Sequence, residues 1–130
     1  MKKILIVSAE FYPKISSILK ESTIKKLADF DVEFLIVPGV FEIPVVISKY
    51  IDRYDGFIAL GCIIKGETPH FDLISKSVID GIMNISIKSK KPVGNGILTC
   101  LNKEQSLARA KKGGEAADAI KHVLMNDPKK

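Results

Sequence analysis

FIALGCII at residues 57–64, followed by KGETPHFD at residues 65–72, is the stretch that decides the fold. Residues 57–64 are apolar or small throughout, and the run has the length of a strand rather than of a helix. Its apolar residues do not alternate with polar ones. Such a strand is covered on both faces, as in a parallel sheet. Gly66, Thr68 and Pro69 then open a helix. Phe71, Ile74, Val78, Ile82 and Ile85 recur at spacings of three and four, which makes one apolar stripe.

Working outward, the same pattern repeats. Residues 4–7, 32–37 and 93–99 are further short apolar runs that read as strands. Between the first two, residues 14–29 are charged and only loosely periodic. After the second run, Ile43, Val46, Ile47, Tyr50, Ile51 and Tyr54 fall on one helical face. Pro44 sits in the first turn, where a missing N–H costs nothing. Beyond the fourth run, Asn102 and Gln105 make a capping pair. Leu107 and then Ala117, Ile120 and Leu124 supply apolar positions, and Gly113-Gly114 is expected to break this region into two helices. Alternating strands and helices with short connections build a right-handed, parallel sheet. The expectation is a single domain over residues 1–130: α/β, three-layer α/β/α, flavodoxin-like, with a four-stranded parallel sheet. A barrel needs roughly 250 residues.

Composition narrows the function classes. No apolar run approaches the roughly 20 residues that span a bilayer, so no membrane partner is expected. The opening MKKILIV loses its apolar character after Val7, too early for a secretory segment, and a cytoplasmic location follows. Cys62 and Cys100 each follow an apolar stretch, with no CxxC and no Cys/His cluster. They read as small buried residues, and neither a metal site nor a disulfide is expected. Lys and Arg number 20 against 15 Asp and Glu, a net charge of +5. Much of the excess lies in Lys2, Lys3, residues 88–91, Lys129 and Lys130. No RGG, RNP, helix-turn-helix or zinc-finger pattern accompanies it, so no nucleic-acid partner is expected. A solvated surface explains most of the charge. An anionic small molecule such as phosphate is the reading kept for Arg109 and Lys112.

Open α/β sheets bind ligands outside the carboxyl ends of their strands. That rule nominates residues 8–13, 38–44, 65–72 and 99–102. The first holds Phe11 beside Tyr12, and Phe11 either stacks on a planar heterocycle or belongs to the core. The second is PGVFEIP at residues 38–44. Gly39 permits a tight turn, and Glu42 either caps a helix or accepts from ligand hydroxyls. In the third, Gly66 and Thr68 open a helix whose N–H groups suit an oxyanion. His70 in its first turn is suited to proton transfer near neutrality. His122, on the terminal helix, is the better structural histidine. There is no Walker loop and no dinucleotide fingerprint. Arg109 is either a surface charge or a phosphate fork.

Together, Phe11-Tyr12, PGVFEIP at 38–44, GCIIKGETPHFD at 61–72, GNGILT at 94–99, and Arg109 with KGGEAA at 112–117 resemble 6,7-dimethyl-8-ribityllumazine synthases. The motifs run in order over nearly the whole chain. The resemblance implies condensation of 5-amino-6-(D-ribitylamino)uracil with 3,4-dihydroxy-2-butanone 4-phosphate, releasing water and phosphate without metal or organic cofactor; the alternative is a non-catalytic flavin- or lumazine-binding protein on the same fold. It also implies roles. Phe11 stacks on the pyrimidine, Val40 and Phe41 bind along it through backbone, and Glu42 takes ribityl hydroxyls. Ile63 and Ile64 read the ring through their main chain. Gly66, Glu67 and Thr68 contact phosphate, and His70 shuttles protons. Asn95 and Arg109 come from an adjacent subunit, the latter to bind phosphate, and Lys112 matches a basic position nearby. A homo-oligomer follows, a pentamer or a multiple of five. The sequence departs from the family pattern in lacking a segment before the first strand, in a shorter stretch between Arg109 and Lys112, and in Glu10 where Arg is frequent.

Overall fold

A computed structural model describes residues 1–128. The apolar runs become β1 (Lys3–Ala9), β2 (Asp31–Val37), β3 (Gly56–Ile64) and β4 (Val93–Cys100). They form one parallel sheet in the order β2-β1-β3-β4. Ile4 lies opposite both Val32 and Gly56, and Phe57 lies opposite Val93. On one side pack α1 (Pro13–Ile24), α4 (Lys103–Arg109) and α5 (Lys112–Met125). On the other pack α2 (Ile43–Lys49) and α3 (His70–Ser89), with a single 3-10 turn at Val40–Glu42 leading into α2. This is the three-layer, flavodoxin-like arrangement.

Strand residues divide by the pleat. Ile4, Ile6, Ile58, Leu60, Cys62 and Leu98 face α1 and α5. Leu5, Val7, Phe57, Ala59, Ile63 and Ile97 face α2 and α3. Burial of both sets explains the unbroken apolar runs of β1 and β3. Cys62 and Cys100 are free and buried.

Three expectations need correction. β2 is an edge strand and is not covered on both faces: Phe34 is 41% exposed and Ile36 58%. The helix read through Tyr54 ends at Lys49. Tyr50 leaves helical backbone, and the N–H of Arg53 closes a turn on the Tyr50 carbonyl at 3.0 Å. Helix plus turn still buries Tyr54, so the apolar spacing is met without a full helix. Finally, α4 and α5 part at Ala110-Lys111, not at the glycine pair. Gly113 and Gly114 lie in the first turn of α5, where a Cβ on Gly113 would strike the Leu19 carbonyl and the Thr23 hydroxyl of α1. They serve close helix approach. The capping pair forms as read: Asn102 Oδ1 accepts from the Gln105 N–H at 2.8 Å, and Gln105 Oε1 from the Leu101 N–H at 2.8 Å.

Among the described residues, no helix is long and apolar enough to cross a membrane, and no group of three His, Cys, Asp or Glu could hold a metal.

Candidate active site

The sheet order reverses direction between β1 and β3, and an open α/β sheet forms a crevice at such a point. A cavity of about 580 Å³ lies there. Phe11 and Tyr12, beyond β1, form one wall. Gly39, Val40 and Phe41, beyond β2, form a second. The end of β3, Cys62 to Ile64, makes the floor, and His70 and Ile74 of α3 close the remaining side. Gly61 sets how near these walls come. A Cβ there would sit 2.5 Å from Val40 Cγ1, so only glycine lets the Val40–Glu42 turn lie directly on β3.

Phe11 is 70% exposed, which removes the core alternative. Its ring meets Tyr12 edge-on, with centroids 5.0 Å apart and planes at 74°. Phe41 is likewise exposed. His70 is exposed at the first position of α3, where its N–H donates to Thr68 Oγ1 at 3.4 Å. It is no buried structural histidine. His122 is exposed too, its Nδ1 3.0 Å from Asn126 Nδ2.

The other expected residues lie outside this cavity. Glu42 is half-buried and its side chain makes no capping bond to α2. Its carboxylate folds back to 3.3 Å from where a Gly39 Cβ would stand. It lines a neighbouring depression of about 410 Å³ with Phe41, Pro44 and Val45, round the corner of the Phe41 ring. Gly66, Glu67 and Thr68 form an exposed loop ahead of the 20-residue α3, started by a Lys65 N–H to Cys100 carbonyl bond of 2.9 Å. Asn95 sits mid-strand on β4, opposite Ala59, at the far edge of the sheet. Its Oδ1 accepts from the Ile97 N–H at 3.0 Å. Arg109 ends α4 and Lys112 begins α5, and neither forms an ion pair among the described residues.

Single-chain geometry thus gathers Phe11, Val40, Phe41, Ile63, Ile64 and His70, and leaves the expected phosphate ligands apart. Among the described residues, no lysine or arginine lines the cavity. Four lining residues were not among the sequence candidates. Tyr12 and Gly39 lay in the nominated loops, beside residues that were chosen. Ile74 lies four residues past His70, a spacing that puts both on one helix face. Cys62 carried no signal beyond its place at a strand end. Burial, with Cys100 beside it, pushes the Cys62 thiol up to about 11 against an opposing hydrogen bond from Ser106. At neutral pH it is therefore a thiol wall and not a nucleophile.

Comparison with known proteins places the chain in a family. The family model described as 6,7-dimethyl-8-ribityllumazine synthase matches residues 1–126. The synthase of Bartonella tribocorum is 40% identical over 126 residues, covering 89% of this chain and 83% of its own. Synthase 1 of Rhodopseudomonas palustris is 41% identical over 136 residues, covering 94% and 83%. The Limosilactobacillus reuteri synthase is 41% identical over 126 residues, covering 92% and 83%. With a cavity at the sheet's reversal point and a family match over almost every described residue, the chain belongs to the 6,7-dimethyl-8-ribityllumazine synthase family.

Proposed function

We infer that this chain is a transferase that condenses 5-amino-6-(D-ribitylamino)uracil with 3,4-dihydroxy-2-butanone 4-phosphate to 6,7-dimethyl-8-ribityllumazine. The observation that carries the reading is one cavity holding Phe11, the Val40-Phe41 backbone and His70, on a chain matching the family over residues 1–126. The reaction balances as follows. The 5-amino group attacks the ketone carbon, and loss of water leaves a C=N bond. A proton leaves carbon, and the C–O bond to phosphate breaks with its electron pair. The enol left behind takes a proton at its terminal carbon and gives up its O–H proton, which makes a methyl ketone. The ribityl-bearing nitrogen attacks this new carbonyl, and a second water leaves as the ring closes.

Each residue has work suited to its place. The exposed Phe11 face stacks on the pyrimidine. Ile63 and Ile64 hold the ring edge through main-chain groups, and Val40 and Phe41 run beside it. Glu42, round the corner, accepts from ribityl hydroxyls. Gly66, Glu67 and Thr68 meet the phosphate ahead of α3. His70, reached by solvent and cavity alike, moves protons between steps. Much of the acceleration comes from holding two reactants together, which in favourable cases supplies roughly 7–11 kcal/mol.

A departing phosphate needs fixed cations, and the cavity of one chain has none among the described residues. Arg109, Lys112 and Asn95 therefore act on the site of an adjoining copy, in a pentamer or a multiple of five. The exposed apolar residues on α3 support that assembly. The domain works whole, in the cytoplasm. The test is to mix purified protein with both substrates and follow the lumazine's absorbance and fluorescence. A rate well above the spontaneous reaction is expected, and a rate equal to it overturns the reading.

A further inference from the structure

Phe11 is given the pyrimidine face, yet its ring is 70% exposed and little of its own chain fixes it. Tyr12 supplies what Phe11 lacks. Tyr12 caps α1 with extended backbone, φ −118° and ψ 91°, a geometry enforced by Pro13 after it. Its carbonyl accepts from the Ser16 N–H at 2.9 Å. Its half-buried ring packs on the core cluster beneath α1. From that anchored place its ring meets the Phe11 ring at a steep angle, with centroids 5.0 Å apart and planes at 74°, and both rings line the same cavity. Edge-to-face contact restricts how the Phe11 ring can turn.

We propose that Tyr12 is a positioning residue that orients Phe11 for stacking, and so sets affinity for the pyrimidine partner and for the lumazine product. The inference rests on the functional reading above, in which Phe11 stacks. Tyr12 acts through its ring and not its hydroxyl. The butanone phosphate, which meets the other end of the site, is not touched.

The experiment uses the purified assembled protein and titrates 6,7-dimethyl-8-ribityllumazine by its fluorescence, alongside KM for each substrate. Tyr12→Leu keeps apolar volume against the core and removes the ring. It should weaken product binding and raise the pyrimidine KM by about two- to twelvefold, the range an aromatic pair is worth. The butanone phosphate KM should not move, and Tyr12→Phe should restore both values. In a Phe11→Leu background, Tyr12→Leu should add nothing. Wild-type affinity in Tyr12→Leu, with Phe11→Leu weakened, overturns the proposal and leaves the functional reading intact. Unchanged affinity in Phe11→Leu overturns the stacking role itself. A parallel rise in both KM values, or no rescue by Tyr12→Phe, assigns Tyr12 a general structural part and overturns the proposal as well.

Discussion

The two faces of the sheet are finished differently. On the α1/α5 face, small residues let helices close on strands and on each other. A Cβ on Gly94 would lie 2.5 Å from the Ala116 carbonyl, and one on Gly113 would enter α1. Ala110, Ala117 and Ile120 are fully or almost fully buried there. On the α2/α3 face, α3 buries only Val78 and Ile82 of its 20 residues, while Leu73, Met83 and Ile87 are 57–67% exposed. Val45 of α2 and Phe41 beside the cavity are exposed as well. Apolar residues gathered on one face of a folded domain mark a surface suited to being covered. The chain seals one face by itself and leaves the other, which adjoins the cavity, with apolar side chains open to solvent.

The largest expected effect breaks the sealed face. Gly113→Val should cost about 3 kcal/mol or more, because the new side chain meets backbone that cannot step aside. Denaturant unfolding reads this directly. Gly66→Ala is the control: nothing lies within 4 Å of the added Cβ, and stability should change by less than about 0.5 kcal/mol. Equal losses from the two substitutions would erase the contrast between a packed and an open glycine.

The open face is tested by making two copies share work. His70→Ala should lower turnover by about a hundredfold, at the low end for a general acid–base group because proximity carries much of the rate. Arg109→Ala should raise the butanone phosphate KM by about tenfold, the scale of one hydrogen bond to a charged group. Unfolding the two variants together and refolding the mixture should recover activity above either alone, since some sites then combine an intact His70 with a neighbour's intact Arg109. No recovery, or a fully active monomer by light scattering, would falsify the shared site.

The same contrast explains what could be read from sequence. β3 was legible because an unbroken apolar run has one explanation when both faces are covered. β2 shows a similar run at residues 32–37, broken only by Glu33, yet it lies at the sheet edge and leaves Phe34 and Ile36 exposed; an apolar run by itself does not tell an edge strand from a central one. Gly113-Gly114 was ambiguous in another way: a glycine pair can end a helix or let one approach, and the second holds. At the site, strand order located three loops at once, which brought in Phe11, Val40, Phe41 and His70. Cys62 and Ile74 stayed hidden because a residue lining a cavity floor looks like any core residue. Asn95 was named through family resemblance alone, whereas Arg109 and Lys112 already stood out as basic residues suited to a phosphate. The fold of one chain keeps all three out of the cavity, and the site proposed for them is that of an adjoining copy.

The smallest effect sharpens the comparison at the β2 edge, where the open face meets solvent. Tyr54 is buried there, and its hydroxyl donates to Glu33 Oε1 at 2.9 Å. Burial first, and then this bond to a carboxylate, hold the hydroxyl's proton above the ordinary tyrosine value of 10.0. The folded chain thus keeps a proton that the unfolded chain gives up as pH passes 10.0. The stabilisation is complete below that pH and is lost as pH climbs through the folded value. Tyr54→Phe removes both the bond and the titration. At neutral pH it should cost about 1 kcal/mol, and less if water replaces the hydroxyl at the half-exposed Glu33. With rising alkalinity the wild type should lose stability faster than Tyr54→Phe, so the two curves converge. Parallel curves from about pH 8 to 11 would mean that the hydroxyl titrates alike in both states. The β2 edge would then be as wet around Tyr54 as it is around Ile36, and the boundary between the sealed and open parts of the molecule would run deeper than the burial of this ring indicates.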